Sequence, residues 1–334
     1  MLRALIISAT VGLVTFPALA EEVNVYSYRQ PELIKPLTDA FTAKTGIAVK
    51  SVHLKKGMIE RLKAEGSRSP ADLIFTVDVS RLSGVVSEGL TQPVTSELLT
   101  KNIPEDMRDA ENHWFGLTAR ARIVYASRDR VADGEVTTYE DLTSDKWKER
   151  ICVRSGLNPY NLALTSAMIV HHGKDGARDW LLGIKNNLAR KPQGNDRAQV
   201  KAIAAGECDI SIGNTYYMAL MVKDEEQSKW AEKVRIVFPE FESGGTHINI
   251  SGMAMTKNAP NRKNALKLME FLASEEGQKI YAEINAEYPV LPSVKASDEV
   301  VGWGAFEWDK IGLTEIAALR PASLRLVEEV GFDD

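Results

Sequence analysis

The amino-acid sequence predicts an α/β protein that folds into two lobes around a central cleft. From Glu22 onward, short apolar segments typical of strands alternate with amphipathic segments typical of helices. Such alternation predicts a mainly parallel sheet covered by helices. The segment Trp114–Ser127 is a strand of unusual length. No flexible interdomain linker, internal repeat or low-complexity stretch is visible, so we expect strands to join the two lobes as hinges.

The first part of the chain is predicted to contain three strands that alternate with three helices and to form most of the first lobe. The strands are EVNVYSY, IAVKSVHL and ADLIFTV, and the helices are PELIKPLTDAFTAKTG, GMIERLKAEG and VSRLSGVVSEG. Gly46 and Gly66 end the first two helices, as glycine commonly does. One face of the first helix is apolar at helical spacing, through Leu33, Ile34, Leu37 and Phe41.

A second α/β run follows the long strand. YEDLTSDKWKE is predicted to be helical, RICVRSG a strand, NLALTSAMIVHHG and ARDWLLGIKNNL helices, QVKAIAAGE a helix and CDISIG a strand. RIVFPEF and NISGMAMTKN are predicted as further strands. NRKNALKLMEFLASEEGQKIYAEINA is predicted as a helix pair broken near Gly277.

The predicted hinges lie in two long strands, near Thr118–Ala119 and near His247–Asn249. The expected lobe limits are 21–118 plus about 246–292 for the first lobe, and 119–245 plus about 293–334 for the second. Ligands of open α/β sheets bind beyond the carboxyl ends of the strands. In a two-lobed clamshell those ends face the cleft, so we expect the binding site there.

Residues 1–20 have the pattern of a secretory signal peptide. Arg3 is followed by an apolar run and then by Ala18-Leu19-Ala20, a typical cleavage site. We expect cleavage after Ala20 and export of the mature chain, with an uncleaved anchor as the alternative. No other segment has the ~20 uninterrupted apolar residues of a membrane helix.

Composition and motifs limit the function further. The hydrophobic content of 44% and charged content of 26% are typical of soluble proteins. The net charge of -5 argues against nucleic acid as a partner, because a phosphate-binding face is usually basic. The sequence has no Ser-His-Asp or Cys-His pairing in a plausible motif context, no phosphate loop and no HExxH. We therefore do not expect an enzyme.

The two cysteines, Cys152 and Cys208, lie in the strand-like segments RICVRS and ECDISIG. An even number of cysteines in an exported protein favours a disulfide. If the two strands are neighbours, the bridge is geometrically easy. Two buried free thiols are the alternative.

Three tyrosines follow predicted strand ends. Tyr216 and Tyr217 come directly after CDISIG, at the start of a helix. Tyr160 opens the helix after ICVRS and follows Asn158-Pro159, where proline fits the first helical turn. If the cysteine-bearing strands are neighbours, all three tyrosines project from one rim. The first lobe contributes VYSYRQP at the end of its first strand, with Tyr26, Tyr28, Arg29 and Gln30.

Phenol oxygens at one point are suited to a hard, highly charged cation. A free tyrosine is neutral at physiological pH, but a bound multivalent cation can hold the phenolate form. Phenolate is a hard anionic ligand, which favours Fe(III) over soft metals. A six-coordinate ion needs further ligands, and Arg120 and Arg122 are candidates to hold an anion such as carbonate. Alternatively, the tyrosine rings pack on sugars or organic cations, and the arginines form a solvated strand face.

The segments resemble those of periplasmic ferric-iron-binding proteins of bacterial ABC importers. The resemblance covers almost the whole mature chain, and its specific motifs are NPYN followed by NTYY. It implies a two-lobed type II periplasmic binding protein fold with Fe(III) bound by one tyrosine of the first motif and two of the second. By that resemblance Tyr160, Tyr216 and Tyr217 are the expected ligands, and Arg120 matches the position near the metal or its anion.

One segment departs from the family pattern. Several members carry a His-Tyr pair after the first strand, where this chain has YRQPE. The chain thus resembles the subgroup with three tyrosines from one lobe and an exogenous anion, here expected to be carbonate or a similar small anion. Tyr28, Arg29, Gln30 and Asn158 are candidates to contact the anion or to support the ligands. The five histidines are expected to be structural or at the surface.

The resemblance also implies a location and a partner. We expect a periplasmic monomer that delivers ferric iron to an inner-membrane ABC permease. The alternative function keeps the fold and changes the solute to a polyamine, a small anion or a sugar.

Overall fold

The structure is a computed structural model that describes residues 21–334. The predicted signal peptide lies outside the described residues. Nine strands are present in this part of the chain: β1 Glu22–Ser27, β2 Ala48–His53, β3 Leu73–Thr76, β4 Trp114–Ser127, β5 Ile151–Cys152, β6 Ile210–Asn214, β7 Val234–Val237, β8 Ile248–Met255 and β9 Tyr288–Pro289.

Helices cover the sheet. Within the described residues they are α1 Pro31–Thr45, α2 Met58–Glu65, α3 Val79–Ser87, α4 Glu97–Asn102, α5 Pro159–Asn186, α6 Asp196–Ala205, α7 Tyr216–Val222, α8 Ser228–Ala231, α9 Arg262–Ala273, α10 Glu275–Asn285, α11 Asp298–Val301, α12 Leu313–Ala318 and α13 Arg320–Glu329. No helix of residues 21–334 has both the length and the apolar character needed to cross a membrane.

The strand order is β2-β1-β3-β8-β4-β6-β5, with β7 and β9 paired to β4. Pairs at the two ends are parallel, namely β1 with β2, β1 with β3, and β5 with β6. The central strands β4 and β8 are antiparallel to each other and to the neighbours β3 and β6. The expectation of a mainly parallel sheet is therefore wrong. A chain that crosses between two lobes and returns must run in opposite directions at the crossing.

One long strand, β4, crosses between the two halves of the sheet. The first part of β4 pairs with β8 and its second part pairs with β6 and β7, so this one strand belongs to both halves of the sheet. The β4–β8 register shifts between Gly116 and Thr118. Gly116 lies opposite Gly252, and a Cβ on Gly116 would come within 2.8 Å of the Met107 carbonyl oxygen. Glycine at both positions lets the strands and the Met107 segment pack closely.

Two helix predictions need correction or refinement. YEDLTSDKWKE forms two short 3₁₀-helices, Glu140–Thr143 and Asp145–Trp147. The last helix pair breaks at Ser274, whose side chain caps α10 by accepting from the Gly277 N–H. Gly277 instead allows close packing, because a Cβ there would lie 2.2 Å from the Phe271 carbonyl oxygen.

The C-terminal helices lie across both halves of the molecule. Helix α13 packs on α5, whereas α12 packs on both α3 and α5. Inside α5, Gly173 has φ 71° and ψ 176°, which separates the two predicted helical segments. This value lies in the region that favours glycine.

The two cysteines form a disulfide. Cys152 lies in β5, and Cys208 lies just before its parallel neighbour β6, with 5.8 Å between the Cα atoms. The bridge therefore joins β5 to the loop that leads into β6, rather than one strand to another.

Candidate functional site

A cleft of about 350 Å³ lies between the two halves of the molecule. Its lining comes mainly from the segment that follows β1, from the central strand β4 and from helices α5, α6 and α7. The lining residues are Tyr28, Arg29, Gln30, Leu33, Val77, Arg120, Tyr160, Arg197, Tyr216, Tyr217, Leu220, Asn285 and Glu287.

The three tyrosines meet on one side of this cleft. The Tyr216 hydroxyl donates to the Tyr160 hydroxyl across 3.4 Å. The rings of Tyr216 and Tyr217 lie 4.3 Å apart between centroids and are tilted by 38°. All three side chains are half-buried. The arrangement therefore brings phenol oxygens from two helix starts to one place.

Local structure explains where Tyr160 and Tyr216 stand. Asn158 caps α5, its side-chain oxygen accepting from the Tyr160 N–H at 3.0 Å, and Pro159 occupies the first helical position. Tyr216 begins α7, two residues after the end of β6. Because β5 and β6 are parallel neighbours, the segments that follow them leave the same edge of the sheet.

The surroundings favour the protonated form of the Tyr216 and Tyr217 phenols when no cation is bound. Burial raises the pKa of Tyr216 well above its usual value, and the neighbouring Tyr160 and Tyr217 raise it further, while Arg120 opposes the shift. Burial and then Tyr160 also raise the pKa of Tyr217. A cation that takes these oxygens as phenolates must therefore displace protons.

The two candidate anion-binding arginines differ in the structure. Both are 2% exposed, so the interpretation as a solvated strand face is wrong. Arg120 lines the cleft, donates to Val77 O and to Ser251 Oγ, and lies 5.7 Å from the centre of the Tyr160 ring. Arg122 is not among the lining residues. It donates at 2.7 Å to Asp196, a fully buried carboxylate.

On the first-lobe side, Arg29 forms a buried ion pair. Its Nη2 donates to Glu287 Oε2 at 2.7 Å and to the hydroxyl of Ser251. Both partners of the pair are nearly inaccessible to solvent. Burial opposes the charge of Arg29, but Glu287 and Tyr281 outweigh it, so the pKa of Arg29 is raised. Arg29 thus faces the cleft with its charge largely balanced by Glu287.

The other predicted site residues have mixed placements. Tyr28 lines the cleft, and its hydroxyl accepts from the Met58 N–H at 3.0 Å. Gln30 also lines the cleft, precedes α1 and makes no side-chain cap bond. Asn158 is not a lining residue, and its oxygen is taken by the cap on α5 described above.

Sequence reasoning missed several lining residues, of which Glu287 and Arg197 carry charge. Glu287 follows α10 through Ala286, which has φ 50°, and the hydroxyl of Thr118 donates to it at 2.6 Å. Arg197 lies in α6 with its guanidinium 6.0 Å from the centre of the Tyr217 ring. No motif in the neighbouring sequence marks either residue as part of the site, because tertiary packing brings each of them to the cleft.

The histidines do not contribute to the cleft. None of the five is among its lining residues. His247 is buried, and burial together with Arg122 and Arg120 lowers its pKa to about 3. In the part of the chain that the structure describes, no group of three or more His, Cys, Asp or Glu residues is close enough to hold a metal ion.

Comparisons with known proteins agree with the resemblance seen in the motifs. The family model for bacterial extracellular solute-binding proteins matches residues 68–309. Iron uptake protein A1 of Synechocystis is 41% identical over 320 residues, which are 95% of this chain and 89% of the relative. The relatives are named as binding and uptake proteins, in keeping with the expectation that the chain is not an enzyme.

Solved structures give the same fold. Ferric iron-binding protein A of Mannheimia haemolytica, in an open conformation, has a TM-score of 0.90 and 51% identity, and the match covers 94% of this chain and 100% of that chain. A Trichodesmium protein in complex with iron and citrate ligands has a TM-score of 0.89 and 41% identity, covering 93% and 99%. The two-lobed type II binding protein fold is therefore confirmed. The chain belongs to the family of bacterial extracellular solute-binding proteins, among the relatives named for ferric iron.

Proposed function

We propose that the protein is a periplasmic carrier that binds Fe(III) in the cleft through Tyr160, Tyr216 and Tyr217. The observation that carries this proposal is the convergence of the three phenols, with 3.4 Å between the oxygens of Tyr160 and Tyr216. Three hard anionic oxygens match the charge and the preference of a ferric ion. The names of the relatives support iron as the solute.

A small anion completes the coordination in this proposal. Arg120 is the best-placed cation to hold it, because it lines the cleft beside Tyr160. Arg29 is a weaker candidate, since Glu287 already balances its charge. Carbonate is the proposed anion. Citrate is the alternative to test beside it, because the Trichodesmium relative is described with iron and citrate.

Iron binding at the cleft serves transport. The two lobes close on the ion by bending at the strands β4 and β8. The first lobe comprises 21–118 plus about 246–292, and the second comprises 119–245 plus about 293–334. The exported monomer then delivers iron to an ABC permease in the inner membrane. The alternative is a carrier of the same fold for a polyamine, a small anion or a sugar, which would use the tyrosine rings for packing.

Ferric titration of the purified protein tests the proposal. The wild type is expected to develop a visible phenolate-to-iron charge-transfer band that saturates at one iron per chain. Phe substitution at Tyr160, Tyr216 or Tyr217 is expected to weaken or abolish the band. Tyr288→Phe is the matched control, because within the described residues the Tyr288 hydroxyl has no hydrogen-bond partner and lies outside the cleft lining.

The titration also separates the alternatives. A wild type that binds no iron and shows a thermal shift with a polyamine or a sugar would replace ferric iron by that solute. Repeating the titration with carbonate, with citrate and without either anion identifies the anion that the coloured complex requires.

A further inference from the structure

A buried cluster of charge lies beside the tyrosines and outside the cleft lining. Asp196 is fully buried and accepts from two arginines, Arg122 at 2.7 Å and Arg154 at 2.9 Å. The three side chains are 0%, 2% and 15% exposed in the order Asp196, Arg122 and Arg154. None of them is among the residues that line the cleft. Two cations share one carboxylate, so the cluster keeps one net positive charge.

The cluster is tied to both tyrosine-bearing segments. Asn161, which follows Tyr160, accepts from Arg122 at 2.6 Å and donates to the Arg154 carbonyl at 3.1 Å. Asn214, at the end of β6, donates its N–H to Asp196 at 3.0 Å. The position of each segment therefore depends on the same carboxylate.

Arg154 is the cation of the cluster with the nearest approach to a tyrosine ring. Its guanidinium lies 5.4 Å from the centre of the Tyr160 ring, against 5.9 Å for Arg122. Burial opposes the charge of Arg154, but Asp196 and Tyr217 outweigh it and raise its pKa. A permanent positive charge is thus fixed beside Tyr160, in an interior where such charges act more strongly than in water.

We infer that Arg154 is a positioning residue of the proposed iron site that acts through Tyr160 and sets how strongly this phenolate donates electrons to the metal. The inference rests on the proposed function. A cation beside the ring withdraws electron density from the phenolate oxygen. Hydrogen bonds and charges outside the ligand set are known to tune reduction potentials. With Arg154 present, the bound ion accepts an electron more readily, in the step Fe(III) + e⁻ → Fe(II) with an added one-electron reductant.

Charge-removing and charge-keeping variants of Arg154 test the inference. In Arg154→Gln the phenolate donates more strongly, so the charge-transfer band is expected to move to longer wavelength. The ratio of Fe(III) affinity to Fe(II) affinity is expected to rise about tenfold. This lowers the reduction potential of the bound iron by ~59 mV, since iron is a one-electron couple. Arg154→Lys keeps the charge and is expected to stay near the wild-type band and potential. Arg178→Gln, at a partly exposed position on α5, is the control and is expected to change neither the band nor the potential.

The outcomes distinguish this inference from the proposed function. If the wild type gives no charge-transfer band, the proposed function fails. If the wild type is coloured and Arg154→Gln keeps its band and potential, the inference alone is overturned. Equal shifts in the Gln and Lys variants would reveal a structural role and also overturn it. Should Arg154→Gln fail to fold, Arg154→Met retains the aliphatic stem without the charge and is expected to give the same red shift and lower potential.

Discussion

The phenol oxygens of Tyr160 and Tyr216 lie 3.4 Å apart across a sequence separation of 56 residues. Cys152 and Cys208, which form the disulfide, have the same separation of 56. Each tyrosine therefore follows its cysteine at the same distance along the chain. The bridge fixes the start of two parallel segments, and the tyrosines come together at their ends.

Iron affinity is expected to fall as the pH falls. Burial and the neighbouring tyrosines raise the pKa of Tyr216 above its usual value, so this phenol carries its proton throughout the physiological range. Iron must displace that proton, and acidification favours the protonated, iron-free form. The apparent affinity should drop about tenfold per pH unit for each proton displaced.

Competition with a chelator of known affinity measures this dependence between about pH 8 and pH 5, with the chelator's own protonation taken into account. Carboxylate ligands would remain ionised over this range. An iron affinity that is constant across it would therefore contradict phenolate ligation.

Loss of the disulfide is expected to reduce stability. In the chain-entropy model, a bridge across 56 residues contributes about 4 kcal/mol by restricting the unfolded chain. The double variant Cys152→Ala/Cys208→Ala should therefore denature at clearly lower urea concentration, with a similar slope. The urea midpoint is compared for the wild type without dithiothreitol, the wild type with dithiothreitol and the double variant. Three equal midpoints would show that the disulfide does not stabilise the fold.

Substitution of Asp196 is expected to reduce stability more than substitution of most other carboxylates in the chain. Asp196→Asn leaves the buried Arg122 and the partly buried Arg154 without their counter-charge, and loss of one partner of a buried pair costs on the order of 3–5 kcal/mol. Asp39→Asn removes an exposed partner of Lys35 and should change stability little. Thermal unfolding of both variants checks the contrast. Similar melting temperatures would mean that the buried cluster does not stabilise the fold.

The fold was largely readable because periodicity and strand length are local signals. Such signals predict the long strand β4 and a helix that begins at Tyr160, one residue after the observed start of α5 at Pro159. The sequence does not predict the antiparallel centre of the sheet, because the direction of each strand is set by how the chain crosses between the lobes. The sequence predicts the break in the last helix pair near Gly277, but the break lies at Ser274. Gly277 serves close packing rather than helix termination.

The site was readable to a smaller extent. The sequence groups the three tyrosines because each follows a predicted strand end, and it adds Arg120 because this residue lies near the predicted hinge. Glu287 and Asp196 could not be anticipated, since their partners Arg29 and Arg122 are far away in the sequence. The same buried pairing explains why Arg122, an equally good candidate by sequence, is excluded from the cleft.

The most direct test of the central claim is a crystal structure of the iron-loaded protein with an anomalous difference map recorded at the iron absorption edge. The account predicts one strong peak in the cleft, within bonding distance of the oxygens of Tyr160, Tyr216 and Tyr217, with an anion between the metal and Arg120. A peak elsewhere on the chain, or a cleft peak that the three tyrosine oxygens do not contact, would contradict it.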